Sequence, residues 1–412
     1  MLVIFASIFA SIIGWGGMLE AVEFDIGNFT LGIHGFLSQG YLKSDHNNFL
    51  AETEKGTFEF REYGVNASSY LTDQLRVGAQ LFGRDFGDFG NDEIVLDWGF
   101  ADYRFQDWLG LRAGRMKVLL GMYNETRDID MVRTSVFLSE SIYNDGFRES
   151  FTAVTGLEVY GTVLSDRLGS LSYQLQWGKL RVEKNGGISK YILNFFPMEM
   201  HDVETSDVYL AGVELNPAAP LDGLRLRATW NAWDIDYTGT TTSAPFWSMQ
   251  GVPPGIPLEY HAALDVTVLS AEYRWRNLVV AAETFAPANY ANSLKSPLLG
   301  TLVDDAPDKV GYYASVAYGL TDWLELGVAY SEYYNNEFDK DGELLHGNSG
   351  NPKYTAWLKD WTLSTRFDFA ENWVVKLEGH IMDGADILLI ADNPDGIEEH
   401  WFLFGGKVTY NF

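Results

Sequence analysis

Along most of the chain apolar and polar residues take turns one by one in runs of about ten, the period of a strand with two unlike faces rather than of a helix. In one such run Val310, Tyr312, Ala314, Val316 and Tyr318 alternate with Lys309, Gly311, Tyr313, Ser315 and Ala317. Leu320-Thr-Asp-Trp323 interrupts it, and then Leu324, Leu326, Val328 and Tyr330 alternate with Glu325, Gly327, Ala329 and Ser331. Two amphipathic runs about a tight turn spell a hairpin. Similar turns stand at Leu71-Thr-Asp-Gln74, Gln106-Asp-Trp108 and Ala370-Glu-Asn-Trp373, each followed at once by another alternating run.

Over the whole chain this pattern predicts about sixteen strands, near 30–42, 58–71, 75–86, 93–105, 109–118, 152–164, 170–182, 206–216, 224–236, 264–275, 278–288, 308–319, 324–335, 356–369, 374–382 and 400–412. The segments between them alternate short and long, the long ones being 43–57, 119–151, 183–205, 237–263, 289–307, 336–355 and 383–399. Amphipathic strands joined by short turns on one side and long loops on the other are the layout of an all-β, transmembrane antiparallel β-barrel. An even strand count puts both ends of the barrel on the periplasmic side. No linker or shift in composition marks a second domain, so one barrel is expected over 22–412.

Composition narrows this further. The 412 residues include 13 Trp, 22 Tyr, 26 Phe and 41 Gly but only 12 Pro, and after the first eighteen no apolar run is long enough to cross a bilayer as a helix. The lack of Cys fits passage through an oxidising periplasm. Leu2 to Met18 is apolar and Leu-Glu-Ala follows, which predicts a secretory signal over 1–21 with Val22 as the mature start. The first basic residue is Lys43, so the stretch has no positive leading region, and a single anchoring helix is the alternative. A formal net charge of −28 belongs on solvated loops and in a wet lumen, and it argues against nucleic acid as a partner. The acidic clusters at Asp304-Asp305, Glu337 to Glu343 and Asp392 to Glu399 do fall in expected outer loops. Trp98, Trp108, Trp323, Trp361, Trp373 and Trp401 stand near strand ends, as in interfacial aromatic girdles, with core packing in a soluble β-sandwich as the alternative.

The chain closes on Trp401-Phe-Leu-Phe-Gly-Gly-Lys-Val-Thr-Tyr-Asn-Phe412, with Phe402, Phe404, Val408, Tyr410 and Phe412 on one face and Lys407, Thr409 and Asn411 on the other. This resembles the C-terminal signal of outer-membrane proteins. The resemblance implies that Tyr410 and Phe412 are read by the barrel-assembly machinery. The longest loop follows the fifth strand, and the stretch before it, Gly114-Arg-Met-Lys-Val-Leu-Leu-Gly121, is similar to the Gly-Arg-x-Lys run of phosphate-selective and related porins. With the strand count, this identifies the chain as resembling the sixteen-stranded outer-membrane porin family. The likeness implies a third outer loop folded into the lumen, a homotrimer, lipid and lipopolysaccharide around it, and small polar solutes and ions diffusing through it without a cofactor.

A narrow passage selects among solutes when opposite charges are held on facing walls. Arg76, Arg104 and Arg112 fall on expected lumen positions, with Arg115 and Lys117 just beyond, while Glu125, Arg127, Asp128, Asp130 and Arg133 lie in the expected inward loop. Arg112 and Arg115 share a face only if the strand bulges at Gly114 or ends early. These charges either set selectivity or pin the loop to the wall. Arg225, Arg227, Arg274, Arg366 and Lys376 extend the basic set, but Glu158, Glu214, Glu272, Glu283, Glu325 and Glu378 are interspersed by the same parity, so no simple anion ladder emerges. Seven scattered His without metal spacing, and no G-x-S-x-G run, argue against a zinc site or a hydrolase; His380 points inward with no evident Ser partner. Asp339-Lys-Asp-Gly-Glu343 lacks the full set of calcium ligands and reads as a turn. The rival to a channel is a barrel that sheathes another protein, such as a multihaem cytochrome in an electron conduit.

Overall fold

The computed structural model describes residues 22–27, 29–349 and 351–412; the apolar stretch read as a signal, 1–21, lies outside the described residues. Sixteen strands follow one another in chain order. The first eight are β1 (Phe29–Ser44), β2 (Phe60–Tyr70), β3 (Leu75–Phe86), β4 (Val95–Gln106), β5 (Leu109–Lys117), β6 (Ala153–Ser165), β7 (Gly169–Leu180) and β8 (Val208–Asn216). The second eight are β9 (Leu224–Thr241), β10 (Pro257–Trp275), β11 (Leu278–Ser296), β12 (Asp308–Thr321), β13 (Leu324–Tyr334), β14 (Trp357–Ala370), β15 (Trp373–Gly384) and β16 (His400–Asn411).

Each strand pairs antiparallel with its neighbours in sequence, and β16 returns to β1, from Leu403 opposite Ser44 to Asn411 opposite Phe36. The result is a closed 16-strand antiparallel barrel, which leaves the barrel wall no open edge to satisfy in lipid. Each expected strand has its counterpart. The largest differences in length are in β9, β10 and β11, which run past their expected ends to the pair Thr240 and Pro257 and to Lys295 opposite Glu259. Two short strands extend this ribbon, Met198–Thr205 along β9 and Gly300–Asp305 along β11, and a third, Val22–Ile26, pairs with the start of β1.

The alternation in the sequence sorts into an inside and an outside. On β15, Trp373, Leu377 and Ile381 are exposed while Val374, Lys376, Glu378 and His380 are buried. Such a wall, apolar outward and polar inward, is what a lipid solvent and a wet interior ask for. At the short-turn end the outer face carries Phe105, Trp108, Trp275, Trp323, Phe369 and Trp373, all exposed, an aromatic belt where amphipathic rings favour the headgroup level. Trp401 departs from the girdle expected of it: the parity that turns Phe402 and Phe404 outward turns Trp401 inward, 1% exposed, where it donates to the Gly384 carbonyl at 3.1 Å.

The interior core lies toward the loop end. Leu42, Phe60, Phe86, Leu358 and Leu403 of the wall pack with Phe49 and Leu50 of the first loop, Phe137 of the third and Leu388 of the last. A second cluster gathers Leu119, Ile188, Ile192, Trp233, Ile235 and Tyr260. Apolar inward positions on the wall are therefore satisfied by loops rather than by water.

Candidate functional site

The segment 118–152, between β5 and β6, makes hydrogen bonds to inward side chains on many strands. Near its start the Leu119 carbonyl accepts from Asn231 Nδ2 at 2.9 Å, and the Gly121 amide donates to Thr229 Oγ1 at 2.9 Å, both on β9. The Glu283 carboxylate on β11 then accepts the Met122 amide at 2.8 Å and the Tyr143 hydroxyl at 2.5 Å. Tyr123 donates to Glu272 on β10 at 2.5 Å, Thr134 to Glu325 on β13, and the Met131 carbonyl accepts from Arg366 on β14 at 2.7 Å. Glu378 on β15 takes the amides of Val136 and Phe137 at 2.8 and 3.0 Å. Buried carboxylates that accept two or more N–H or O–H groups are satisfied by charge-assisted bonds, stronger than neutral ones.

Through the same region runs a chain of ion pairs. Asp130 meets Lys376 at 3.1 Å, Lys407 at 2.7 Å and Arg133 at 3.3 Å, and it accepts the Thr409 hydroxyl at 2.8 Å. Lys407 also meets Glu62 at 2.5 Å; Glu62 pairs with Arg148, and Arg148 with Asp128. Asp128 reaches Lys117 at 2.5 Å, and Lys117 reaches Asp97 at 2.7 Å. Burial alone would raise the Asp130 carboxyl, but Lys376, Lys407 and Arg133 outweigh it and hold it well below the ordinary range. Asp128 is held low in the same way, with burial overcome by Lys117 and Arg148.

The site residues expected from sequence divide into two sets. Lys117, Asp128, Asp130 and Arg133 belong to this chain of pairs, and Arg127 joins it indirectly, with Asp145 at 2.7 Å and the Arg133 guanidinium on its carbonyl at 2.6 Å. Glu125 pairs with Arg227 on β9. The basic trio Arg76, Arg104 and Arg112 does not meet these acids. Arg112 instead bridges Asp102 at 3.1 Å and Glu158 at 2.9 Å on the flanking strands, over the ring of Phe100. Arg76 stands 3.5 Å from Ser68, and Arg104 is exposed. The reason is height: Arg112 lies five residues before Lys117 on β5, roughly 16 Å along a strand, and Arg76 and Arg104 lie nearer still to the short turns. Parity reports the face of a residue but not its level.

Arg115 donates to the Asp97 carbonyl at 3.1 Å. The ladder between β4 and β5 runs through Gly114 without a slip, from Gly99 opposite Arg115 to Asp102 opposite Arg112. The irregularity sits one strand away, where Gln80 faces Trp98 but Leu81 faces Leu96, so Asp97 is the extra residue of a bulge and turns inward to Lys117. Gly114 is constrained even so. Its φ is +136°, and a Cβ there would stand 2.3 Å from the Gly99 carbonyl oxygen. Gly114→Val is expected to cost on the order of 3 kcal/mol, since such backbone is almost confined to glycine; a lower urea midpoint for loss of the heat-modifiable band checks this.

Glu62, Asp97 and Arg148 were missed. Glu62 was within reach of the parity rule, as it shares the inner face with Phe60 and Gly64 on β2 and alternates with Arg61 and Tyr63. Asp97 was hidden by the bulge, and Arg148 opens the four-residue helix Arg148–Phe151, too short to show a period. His380 has both ring nitrogens taken, by Asp360 at 2.8 Å and Glu378 at 3.0 Å, which leaves it no free nitrogen to act as a base. Asp339 accepts the amides of Leu344 and Leu345 at 2.9 and 2.8 Å, the work of a turn residue at a helix start. Asp383, Glu399 and His400 gather one ligand atom each within 4.8 Å of one another at the loop ends of β15 and β16, a grouping invisible in linear spacing.

Between residues 131–140 and the wall of β10 to β15 lies a cavity of about 460 Å³. Both signs of charge line it, with Glu272, Glu325 and Asp360 against Arg274, Arg366 and Arg133.

No protein-family model and no curated protein matches the chain. Solved structures do. OmpF of Salmonella typhi, in complex with daunomycin, is similar with a TM-score of 0.56 at 12% identity, over 95% of this chain and 100% of that one. The outer membrane channel DcaP of Acinetobacter baumannii gives 0.54 at 7% identity over 96% and 100%, and an anion-selective porin from Comamonas acidovorans gives 0.51 at 10% over 93% and 100%. At such identities it is the architecture that is shared. The chain has the fold of the bacterial outer-membrane porins, a closed 16-strand antiparallel barrel.

Proposed function

We propose that the chain is a passive diffusion porin for small polar solutes and ions, whose passage runs between residues 131–140 and the wall of β10 to β15. The observation that carries this is the cavity of about 460 Å³ with acidic and basic side chains on its lining. Fixed charges beside low-dielectric walls act strongly on a passing ion, whereas the same charges on an outer loop are screened within about 10 Å at 0.1 M salt. Segment 118–152 then acts as the constricting third loop, fastened by the Asp130 and Asp128 pairs, and the paired charges serve mainly to pin it. Sheathing of another protein is disfavoured, because a threaded partner would need the space this segment takes. The reading assigns no bond-breaking chemistry, and the homotrimer rests on resemblance to sixteen-stranded porins.

Planar-bilayer conductance in asymmetric salt tests the proposal. The refolded protein should open discrete ohmic channels. Arg274→Gln, which removes a positive charge from the passage, should move the reversal potential toward cations and change the permeability ratio several-fold, while Asp341→Asn on the exposed outer turn should leave it nearly unchanged. Equal shifts from the two variants would place the selective charges elsewhere, and a barrel that never conducts would end the channel reading.

A further inference from the structure

A second cavity, of about 170 Å³, lies on the loop side of the same segment. It is walled by Phe147, Trp233, Phe285 and tyrosines, among them Tyr191 from the helix Gly187–Phe195, Tyr290 from β11 and Tyr333 from β13. A space of this size admits a benzene-sized ring when its lining is apolar. The lining also includes charged groups. Arg127 is paired with Asp145, and Glu140 accepts the Asp145 amide at 3.0 Å through one oxygen while its other has no partner among the described residues. Lys309 and Asp386 are different.

Asp386, on the loop after β15, is 4% exposed, and neither carboxylate oxygen has a hydrogen-bond partner among the described residues. A buried carboxylate with both oxygens bare is costly, and native structures rarely keep one without a purpose. Lys309, near the loop end of β12, makes no ion pair among the described residues; its ammonium lies 4.6 Å from the centre of the Tyr290 ring and 5.5 Å from that of Tyr191. The two charges are too far apart to pair with each other. The cavity therefore offers an acceptor that lacks a donor, a donor that lacks an acceptor, and aromatic walls in the same space. A molecule that satisfies all three carries an ammonium, a carboxylate and an apolar body.

We infer that this cavity is a binding site for zwitterions with an aromatic or large aliphatic body, of the free amino acid kind, in which Asp386 receives the ammonium and Lys309 the carboxylate. Its physiological meaning, a solute captured on the way to the passage, rests on the channel reading, but the binding does not. Burial pushes the Asp386 carboxyl up to about 7, with Lys309 offsetting part of the rise. An arriving ammonium favours the ionised form, so binding near neutral pH releases a proton.

The test is isothermal titration of the refolded full chain in detergent with phenylalanine, then with phenethylamine, 3-phenylpropionate and glycine, each of which lacks one of the three features. Phenylalanine should bind at least tenfold more tightly than any of the others, with buffer-dependent heats that report proton release. Asp386→Asn should weaken phenylalanine about tenfold and leave 3-phenylpropionate unchanged; Lys309→Met should weaken phenylalanine and leave phenethylamine unchanged. Phenylalanine no tighter than glycine, or truncated analogues as tight as phenylalanine, would overturn the site on the unaltered chain, whatever the variants do. Folded variants that bind like the parent would overturn the two assigned roles. Conductance of the same preparation separates the two proposals: a conducting barrel that ignores phenylalanine sinks the binding site alone, and a non-conducting barrel that binds it sinks the channel alone.

Discussion

An Asp130→Asn barrel is expected to insert and remain heat-modifiable, yet to conduct with larger, noisier openings and to be cut by protease within 118–152. Asp130 is 2% exposed and meets Lys376, Lys407 and Arg133, so its neutral replacement leaves basic groups buried without their common partner. Breaking a buried pair from one side costs about 3–5 kcal/mol. That loss falls on the fastening of the loop, because the strands keep their ladders. The share of this fastening that the Asp128 and Asp130 carboxylates carry should be insensitive to pH through the mildly acidic range. Asp128 and Asp130 have folded values below the ordinary 3.8, so their contribution is complete above that value and is lost only as pH falls through the depressed ones. Single-channel recording from pH 7 down to pH 3, with limited proteolysis alongside, checks both parts. Quiet, parent-like currents and an uncut loop in the variant would show that the pair network does not hold the loop.

Phe412→Asp is expected to lower the amount of barrel in the outer membrane several-fold and to leave unassembled protein in the periplasm. Phe412 exchanges two backbone hydrogen bonds with Gly35 of β1, each 3.0 Å. Its ring lies where a Cβ on Gly35 would stand 2.5 Å from it, an aromatic covering a glycine on the neighbouring strand. Tyr410 links the ring onward, 6.4 Å from Phe412 and 4.8 Å from Trp373. A carboxylate in this position forfeits that cover at the seam where the barrel closes and removes the aromatic proposed as the assembly signal. Immunoblots of membrane and periplasmic fractions decide the matter, and undiminished levels of the heat-modifiable form would remove Phe412 from that role.

The barrel was legible because lipid outside and polar groups inside impose a period of two on every strand, and the short turns carry their own Asp and Asn chemistry. Where those solvents cease to differ, the signal fades. The outer parts of β9 and β10 read Asp236-Tyr-Thr-Gly-Thr-Thr241 and Pro257-Leu-Glu-Tyr-His-Ala262. The usual sense is reversed there, with Tyr237, Leu258, Tyr260 and Ala262 buried and Asp236, Glu259 and His261 on the other face, and the strands outrun their expected ends. The Asp97 bulge moves one acidic side chain to a face that regular alternation denies it. The ion pairs were legible only by half. Sequence places Lys376 and Arg227 on the inner face, but which loop carboxylate each meets depends on strand stagger and on the path of 118–152, and neither leaves a local trace in the sequence.

The attachments of segment 118–152 reach Glu62 on β2, Thr229 on β9, Glu283 on β11, Glu378 on β15 and Lys407 on β16. Seen end on, these are spokes set around a hoop. An empty hoop flattens readily, because squeezing its section into an ellipse bends every strand pair a little and breaks none. With spokes the same squeeze must shorten some and stretch others, and each stretched spoke is a buried hydrogen bond or ion pair with a steep dependence on distance. The wall and the loop thus stiffen each other, so that the cross-section of the barrel is set from within rather than by the lateral pressure of the surrounding lipid.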